Sequence, residues 1–508
     1  MGIFRKLTPL GRLIFIILIV AILGLVGWKL TNNGKNLEKF SAPSLGNSYD
    51  ATLFVDTYTG WAPIVWGNGG KQGTKDSYFY KNFGIRLDIK NADDFDASRK
   101  AWQNDKNAIA FCTLDSYPVE AGENDGMADA RYFVIHNFSA GADAIVVTKH
   151  IKTVSDLKGK KIVCSEGTAS HSLLLNTLEA AGLSNNDVEI VMTGYGSTVA
   201  DAFKSGQVDA AVVFTPDDEA CMKAVPGTHV LVSTKNANTL VTDGFLAHKE
   251  WLEKNPDKAK RFIEALLWAN SEITNNKDRY NEACKVFSET FEVPLEDVVS
   301  TGEKINFATL QDNINWFGLN SSYSGIDANT LYSKMAYVYG NIGLTNRPLP
   351  WTKIGYNKYV DELSQSNNLT NNQTANATKE RTFSAPTPEV QKAEAVSTKK
   401  VIIEYPVDGF ALDDNAKATI DKEFLPIVKQ FNNVYVRVEG NTDATGSKEH
   451  NIELSKKRAQ SVVNYLIKQG MDDNRFIVVG NGPAKAIADG VKGSNQAYRT
   501  TDLQLIGE

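Results

Sequence analysis

One stretch constrains the chain more than any other: residues 139–174, SAGADAIVVTKHIKTVSDLKGKKIVCSEGTASHSLL. Two short apolar runs rich in Ile and Val, 144–148 and 160–164, read as buried strands of an α/β sheet. Between them Thr153 to Leu157 reads as a helix start with polar capping candidates, closed by Gly159. After the second strand, Glu166-Gly167-Thr168-Ala169-Ser170-His171-Ser172 enters an apolar helix running to Ala181. The first-turn amides of such a helix are unpaired and carry the positive end of its dipole. At the end of a strand in an open α/β sheet, that order describes a ligand cleft.

Several motifs in this order resemble the nitrate/taurine/thiamine-precursor group of extracytoplasmic solute-binding proteins. They are Ser139 with Gly141-Ala142-Asp143-Ala144-Ile145-Val146, then Ile151 with Asp156-Leu157-Lys158-Gly159-Lys160-Lys161-Ile162, then Gly167-Thr168, Ala181-Gly182-Leu183 and Ser205-Gly206-Gln207-Val208-Asp209-Ala210. The resemblance spans roughly residues 50–290. It implies a two-lobed α/β fold of the type II periplasmic-binding-protein kind over 49–360, a small solute in the cleft, and a membrane transporter of the ABC type or an envelope complex as partner.

Loops at strand ends carry binding groups on a rigid frame. The candidate ligand-binding residues are therefore Thr59 and Trp61 after the first strand, Thr113, Asp115 and Ser116 after the strand 108–112, Ser139 at the crossover, Gly167, Thr168 and Ser170 at the helix entry, and Thr215 and Asp217 after the strand 209–214. Trp61 either lines the cleft or packs the lobe. The acidic run Asp217-Asp218-Glu219 either caps its helix or faces the cleft, where it favours a ligand with a positive or hydrogen-bond-donating end. Few basic residues lie in these loops, so a simple oxyanion is not favoured over a zwitterion such as an aminosulfonate or an aromatic heterocycle.

At 508 residues the chain exceeds what one core organises, so two or three domains are expected. Residues 1–12 carry Arg5, Lys6 and Arg12 as a cytoplasmic basic stub, and 13–30 hold a single charge, Lys29. That span is long enough to cross the cytoplasmic membrane with the basic end inside. The alternative is a cleaved signal peptide, but the exit offers no clean A-x-A site and no lipobox Cys. Residues 31–48 read as a tether. Residues 361–397 are rich in Asn, Thr, Ser, Ala and Pro and read as a flexible linker.

From Val401 the pattern restarts as a βαβαβ unit, placed at 398–508, with strands at 401–407, 434–440, 475–479 and 503–506 and helices at 415–431 and 448–469. The run Gly440-Asn441-Thr442-Asp443-Ala444-Thr445-Gly446-Ser447, followed by Asn451, Leu454-Ser455 and Arg458-Ala459, resembles the OmpA-like peptidoglycan-binding domain. The resemblance implies that Asp443, with Thr442 beside it, accepts from the ammonium of a diaminopimelate stem peptide, that Arg458 forks onto its carboxylate, and that Asn451 holds the loop in shape. The family's His is Asn441 here, and its late N-R-R is Tyr498-Arg499-Thr500, leaving Arg499 as the second basic contact.

The leading expectation is a single-pass protein of the inner membrane with its bulk in the periplasm: a receptor for an unknown small solute that also grips peptidoglycan. The alternative is an envelope spacer or protein-docking module whose binding fold has lost its ligand. Catalytic and metal-ligating residues, and a cofactor, are not expected, because six His show no ligand spacing and the four cysteines, Cys112, Cys164, Cys221 and Cys284, form no CxxC. Most of these cysteines read as small buried apolar residues. A proton-driven stator is set aside because 13–30 lacks an acidic residue. A net charge of -6 argues against nucleic acid as a partner.

Overall fold

The structure, a computed structural model, describes residues 48–122, 126–193, 198–345, 347–366, 369, 374–379, 381–406 and 408–507. The expected membrane span 13–30, its basic stub, the tether through residue 47 and the loop 194–197 lie outside the described residues. Among the described residues no helix is long and apolar enough to cross a membrane.

The chain first lays down β1 (Ala51–Val55), β2 (Leu87–Asn91), β3 (Ala108–Thr113) and β4 (Ala130–Ser139). It crosses to build β5 (Asp143–Val147), β6 (Lys161–Ser165), β7 (Glu189–Thr193), β8 (Ala210–Phe214) and β9 (His229–Ser233), then returns for β10 (Thr242–His248) and β11 (Ile305–Phe307). Two sheets result, in the orders β11-β4-β10-β3-β1-β2 and β7-β6-β8-β5-β9. In the first, β1 runs parallel to β2 and β3, while β10 is antiparallel to β3 and β4. In the second, β6 runs parallel to β7 and β8, while β5 is antiparallel to β8 and β9. Parallel neighbours require crossover segments, which α1 (Ala62–Asn68), α2 (Phe95–Asn104) and α3 (Ala169–Ala180) help to provide. The two-lobed α/β expectation matches this topology.

The crossings between the lobes lie side by side. Ser139 N donates to Val241 O at 3.0 Å and Thr234 N to Asp143 O at 2.9 Å. Thr234 Oγ1 takes the Gly141 amide at 2.9 Å and sits 2.7 Å from Ser139 Oγ.

The long helix expected over 249–276 is divided at Asn255, because Pro256 has no N–H to continue the first piece and instead opens α4 (Pro256–Asn275). Trp251 and Trp316 are core residues, and Trp268 stacks on Trp66 with ring centroids 5.7 Å apart. All four cysteines are free and buried.

The C-terminal sheet contains β12 (Ser397–Val401), β13 (Tyr435–Asn441), β14 (Phe476–Gly482) and β15 (Thr501–Ile506), ordered β12-β15-β13-β14. The expected strand at 401–407 lies earlier than predicted. Its partner β15 begins at Thr501, which pairs with Val401, so the ladder stops there. The single helix expected over 415–431 is broken by Pro426 into Asp414–Glu423 and Leu425–Gln430. Helix α5 (Lys448–Lys468) lies close against β13 and β14 because Gly440 and Gly480 have no side chain to hold it off. A Cβ on Gly440 would lie 2.1 Å from Ser455 O, a backbone atom that cannot swing away. Gly440→Ala is therefore expected to cost about 3 kcal/mol, read as a lower denaturant midpoint for the C-terminal transition.

The stretch 361–397 differs from a free coil where it is described. Asp312, wholly buried, accepts hydrogen bonds from the Asn376 and Thr378 amides and from Thr378 Oγ1. Phe383 is buried, packs edge-on to Tyr435 and donates its amide to Asp472 at 2.9 Å. Composition misses this because the anchors are polar: a buried carboxylate needs donors, and a Thr- and Asn-rich segment supplies them. The C-terminal domain also meets the second lobe through backbone bonds, Val154 N to Val396 O at 2.8 Å and Asn433 N to Asn236 O at 3.2 Å.

Candidate functional site

A cavity of about 420 Å³ lies between the two lobes. It sits beyond the C-terminal ends of β1, β2, β3 and β8, where antiparallel β5 and β10 begin. Ligands of open α/β sheets bind at this edge. Four carboxylates line it, Asp56, Asp93, Asp143 and Asp243, with five aromatic rings, Tyr58, Trp61, Phe95, Phe111 and Phe214. Among the described residues its lining contains no Lys, Arg or His.

Strand ends set these groups in place. Asp56 follows β1 directly and accepts the Trp61 indole Nε1–H at 2.6 Å. That bond, and near-parallel stacking of Trp61 on His136 at 5.3 Å, hold the indole as one wall. Asp243 in β10 pairs in register with Thr113 in β3, whose hydroxyl donates to Asp243 Oδ1 at 2.8 Å. Asp143 opens β5 and is hydrogen-bonded by Ser139. Asp93 is at the rim and accepts the Thr57 amide at 2.7 Å.

Electrostatically the site is one-sided. Burial pushes the Asp56 carboxyl up to about 6 despite the hydrogen bond from Trp61. It pushes Asp143 up to about 6 as well, with Asp218 adding to the rise. Asp243 is raised well above the usual carboxylate range by burial, and the charges of Asp56, Asp115 and Asp143 push further in the same direction. Behind the wall, burial raises Asp115 to about 7. His136 is held neutral, since burial drives it down to about 3 while its Nε2–H donates to Gly60 O at 2.7 Å.

Of the residues expected at the cleft from sequence, Trp61 and Thr113 line the cavity. Ser139 and Asp115 are buried one layer behind it, Ser139 on Asp143 and Thr234, Asp115 under the Thr242 amide. Thr59 is buried in the turn that delivers Trp61, and Ser116 Oγ donates back to Thr113 O at 3.1 Å. At the helix entry it is Ala169, not Gly167, Thr168 or Ser170, that reaches the cavity. Gly167 has φ +65 beside Val119, Thr168 Oγ1 donates to Ser165 O, and Ser170 is buried in α3. Thr215 and Asp217 lie outside the lining: Lys304 Nζ reaches Thr215 Oγ1 at 2.9 Å, and Asp217 opens a helix among Lys204, Asp201 and Asp218. The acidic run occupies the first turn of that helix, whose N-cap is Pro216 with no side-chain cap bond.

Sequence reasoning missed Asp56, Asp143 and Asp243 as cleft groups. A signal was present, because Asp143 opens a strand that is otherwise apolar and Asp243 is the one acid in a fully buried strand. Such placement is costly unless it serves something.

In the C-terminal domain Asp443 is nearly buried at the start of the loop after β13. It accepts Arg499 Nε at 2.7 Å, the Thr445 amide at 3.1 Å and the Asn495 amide at 3.1 Å. Burial works against its charge, but these bonds hold the carboxyl below its ordinary range. Its ion pair is with Arg499 rather than Arg458. Arg458 lies over the Tyr405 ring at 4.8 Å and donates Nε to Gly409 O at 3.0 Å. Asn451 Nδ2 donates to Thr445 O at 2.7 Å, and Thr442 takes its place through its amide on Gly482 O.

Residues 74–279 match the family model described as NMT1/THI5 like, and residues 405–500 match the OmpA family. The taurine-binding periplasmic protein of Escherichia coli is 27% identical over 210 residues, 41% of this chain and 64% of that protein. Outer membrane protein A of Bordetella avium is 36% identical over 69 residues, 13% of this chain and 36% of that protein. The chain spans about half the length of curated relatives that it matches at 30–31% identity. Among solved structures, the periplasmic aliphatic sulphonate binding protein SsuA from Escherichia coli superposes with a TM-score of 0.48 at 18% identity, over 60% of this chain and 97% of that one. The desulfurization enzyme DSZB does so with a TM-score of 0.42 at 14% identity, over 61% and 97%. With both lobes and the C-terminal sheet in view, the chain joins a domain of the NMT1/THI5-like kind, similar to periplasmic solute-binding proteins, to a C-terminal domain of the OmpA family.

Proposed function

We propose that this chain is an extracytoplasmic receptor held at two places in the envelope. Its two-lobed domain captures a small solute between the lobes, and its OmpA-family domain grips diaminopimelate-type peptidoglycan through Asp443, Arg458 and Arg499. The segment 13–30 holds it to the cytoplasmic membrane, beside a transporter or another fixed envelope complex. The observation that carries this reading is the interlobe cavity of about 420 Å³ with two nearly buried carboxylates, Asp143 and Asp243, on its wall. A site kept only for packing gains nothing from such groups, whereas a ligand site uses them to orient its occupant.

Native mass spectrometry of the full chain as isolated tests this. The expected result is a stoichiometric small-molecule adduct that is lost on unfolding. A bare chain whose melting temperature also ignores every solute offered would support the other reading, an envelope spacer. The backbone bonds between the C-terminal domain and the second lobe favour that alternative, since they suit a scaffold that transmits force.

A further inference from the structure

The carboxylates that line the cleft have no Lys, Arg or His beside them among the described lining residues. The leading charges that bear on Asp56, Asp143 and Asp243 are acidic: Asp93 on Asp56, Asp218 on Asp143, and Asp56, Asp115 and Asp143 on Asp243. Two basic side chains of the surrounding elements, Lys304 and Arg99, are already committed. Lys304, on the second lobe's side, binds Asp218 and Glu219 at 3.2 and 3.0 Å. Arg99 of α2 lies behind the Phe95 and Phe111 rings, and its guanidinium pairs with Glu120 at 2.7 Å.

Two of these acids are nine-tenths buried and still incompletely bonded. Asp243 is 6% exposed; Thr113 occupies its Oδ1, and its Oδ2 has no partner among the described residues. Asp143 is 7% exposed and has Ser139 as its only side-chain hydrogen-bond partner among the described residues. Both border the cavity, one from each lobe. Burying a carboxylate costs heavily unless a positive group meets it. Five aromatic residues share the lining with Thr57, Ala92, Thr113, Ala169 and Val241, and aromatic rings attract cations through their negative quadrupoles.

Resting on the receptor reading, we propose that the cleft takes a small organic cation, an ammonium or amidinium whose charge lies between Asp143 and Asp243 and whose apolar body lies against Trp61, Phe111 and Phe214. A sulfonate meets four carboxylates here and no Lys, Arg or His among the described lining residues. Binding a cation across the two lobes also gives closure a driving force, since each lobe supplies one of its two counter-charges.

The test uses the full chain, stripped of bound solute and refolded, with five probes. Choline and benzamidine are the cations, dimethylbutanol is choline's uncharged isostere, and taurine and ethanesulfonate are the zwitterion and the anion. Choline or benzamidine is expected to raise the melting temperature and to bind at least about 10-fold more tightly than dimethylbutanol. Asp243→Asn and Asp143→Asn are each expected to weaken that cation at least about 10-fold while the chain stays folded. Cation affinity is also expected to fall as the pH is lowered from about 8 to about 5, because the carboxylates that receive it take up protons.

A larger response to taurine or ethanesulfonate than to either cation overturns the proposal and leaves the receptor reading standing. Cation binding that survives both Asn variants unchanged overturns the site. Failure of all five probes overturns the cation proposal as well, and the adduct measurement above then decides separately whether the receptor reading survives.

Discussion

Asp443→Ala is expected to reduce retention of the full chain on diaminopimelate-type peptidoglycan by about 10- to 100-fold. The estimate follows from the loss of a charge-assisted bond worth roughly 1.5–3 kcal/mol to a carboxylate that is nearly buried. Asp443 is held in place by Arg499 and by two loop amides, so it meets an incoming ammonium without reorganising. Arg458 is set in position by its stacking on Tyr405 and its bond to Gly409 O. Its planar fork matches a carboxylate as a lysine ammonium does not, so Arg458→Lys is expected to lose about 10-fold even though the charge remains. Asn451→Ala removes the tie to Thr445 O and is expected to give a smaller loss through loop shape alone. A sedimentation assay with purified sacculi reads all three. Retention of Asp443→Ala and Arg458→Lys at the level of the unaltered chain would discard this site.

The second large effect concerns the cleft when no ligand occupies it. Asp56, Asp115 and Asp143 bind their protons more tightly folded than unfolded, with folded values of about 6, 7 and 6, against an unfolded value near 3.8. Between those values the folded state carries more protons, so stability is full below about pH 4 and is lost as the pH rises through about 7. Two pK units correspond to ~3 kcal/mol for a single group. The groups interact, so their losses do not simply add. The ligand-free protein is therefore expected to unfold at lower denaturant at about pH 8 than at about pH 5, by several kcal/mol in the lobes' transition. Asp243→Asn removes the acid that the other three push against, and is expected to stabilise the ligand-free chain at about pH 8 by roughly 2 kcal/mol or more. Stability that rises with pH over this interval would contradict the arrangement. The same variant that strengthens the empty fold is expected to weaken cation binding, as happens where a site stores cost for its ligand.

Local pattern carried a large part of this molecule. The Val- and Ile-rich runs at 144–148 and 160–164 emerge as strands because burial on both faces suits continuous apolar sequence. The motif from Gly440 to Arg458 was readable for a similar reason: a glycine that lets a helix approach, a loop acid and a helix arginine all lie within one short span. Where reading failed locally, Pro256 and Pro426 were the cause, since each divides a pattern that periodicity alone joins. The polar segment 374–396 misled differently, because its anchors bond to Asp312 and Asp472, which are distant in sequence.

The sequence alone therefore determined two α/β lobes, an appended OmpA-like sheet and the loop acid Asp443, all encoded by neighbours along the chain. Tertiary structure decided the character of the cleft. Asp56, Asp143 and Asp243 come from three separate strand edges, and they converge, with no Lys, Arg or His among the described lining residues, only when two crossings bring both sheets together. It also decided that Arg499 and not Arg458 holds Asp443, because Arg499 reaches the loop only where the chain returns after β14 to start β15 beside β13. Charge and burial act through space, so groups far apart in sequence reveal their purpose only when the fold places them within a few ångströms of one another.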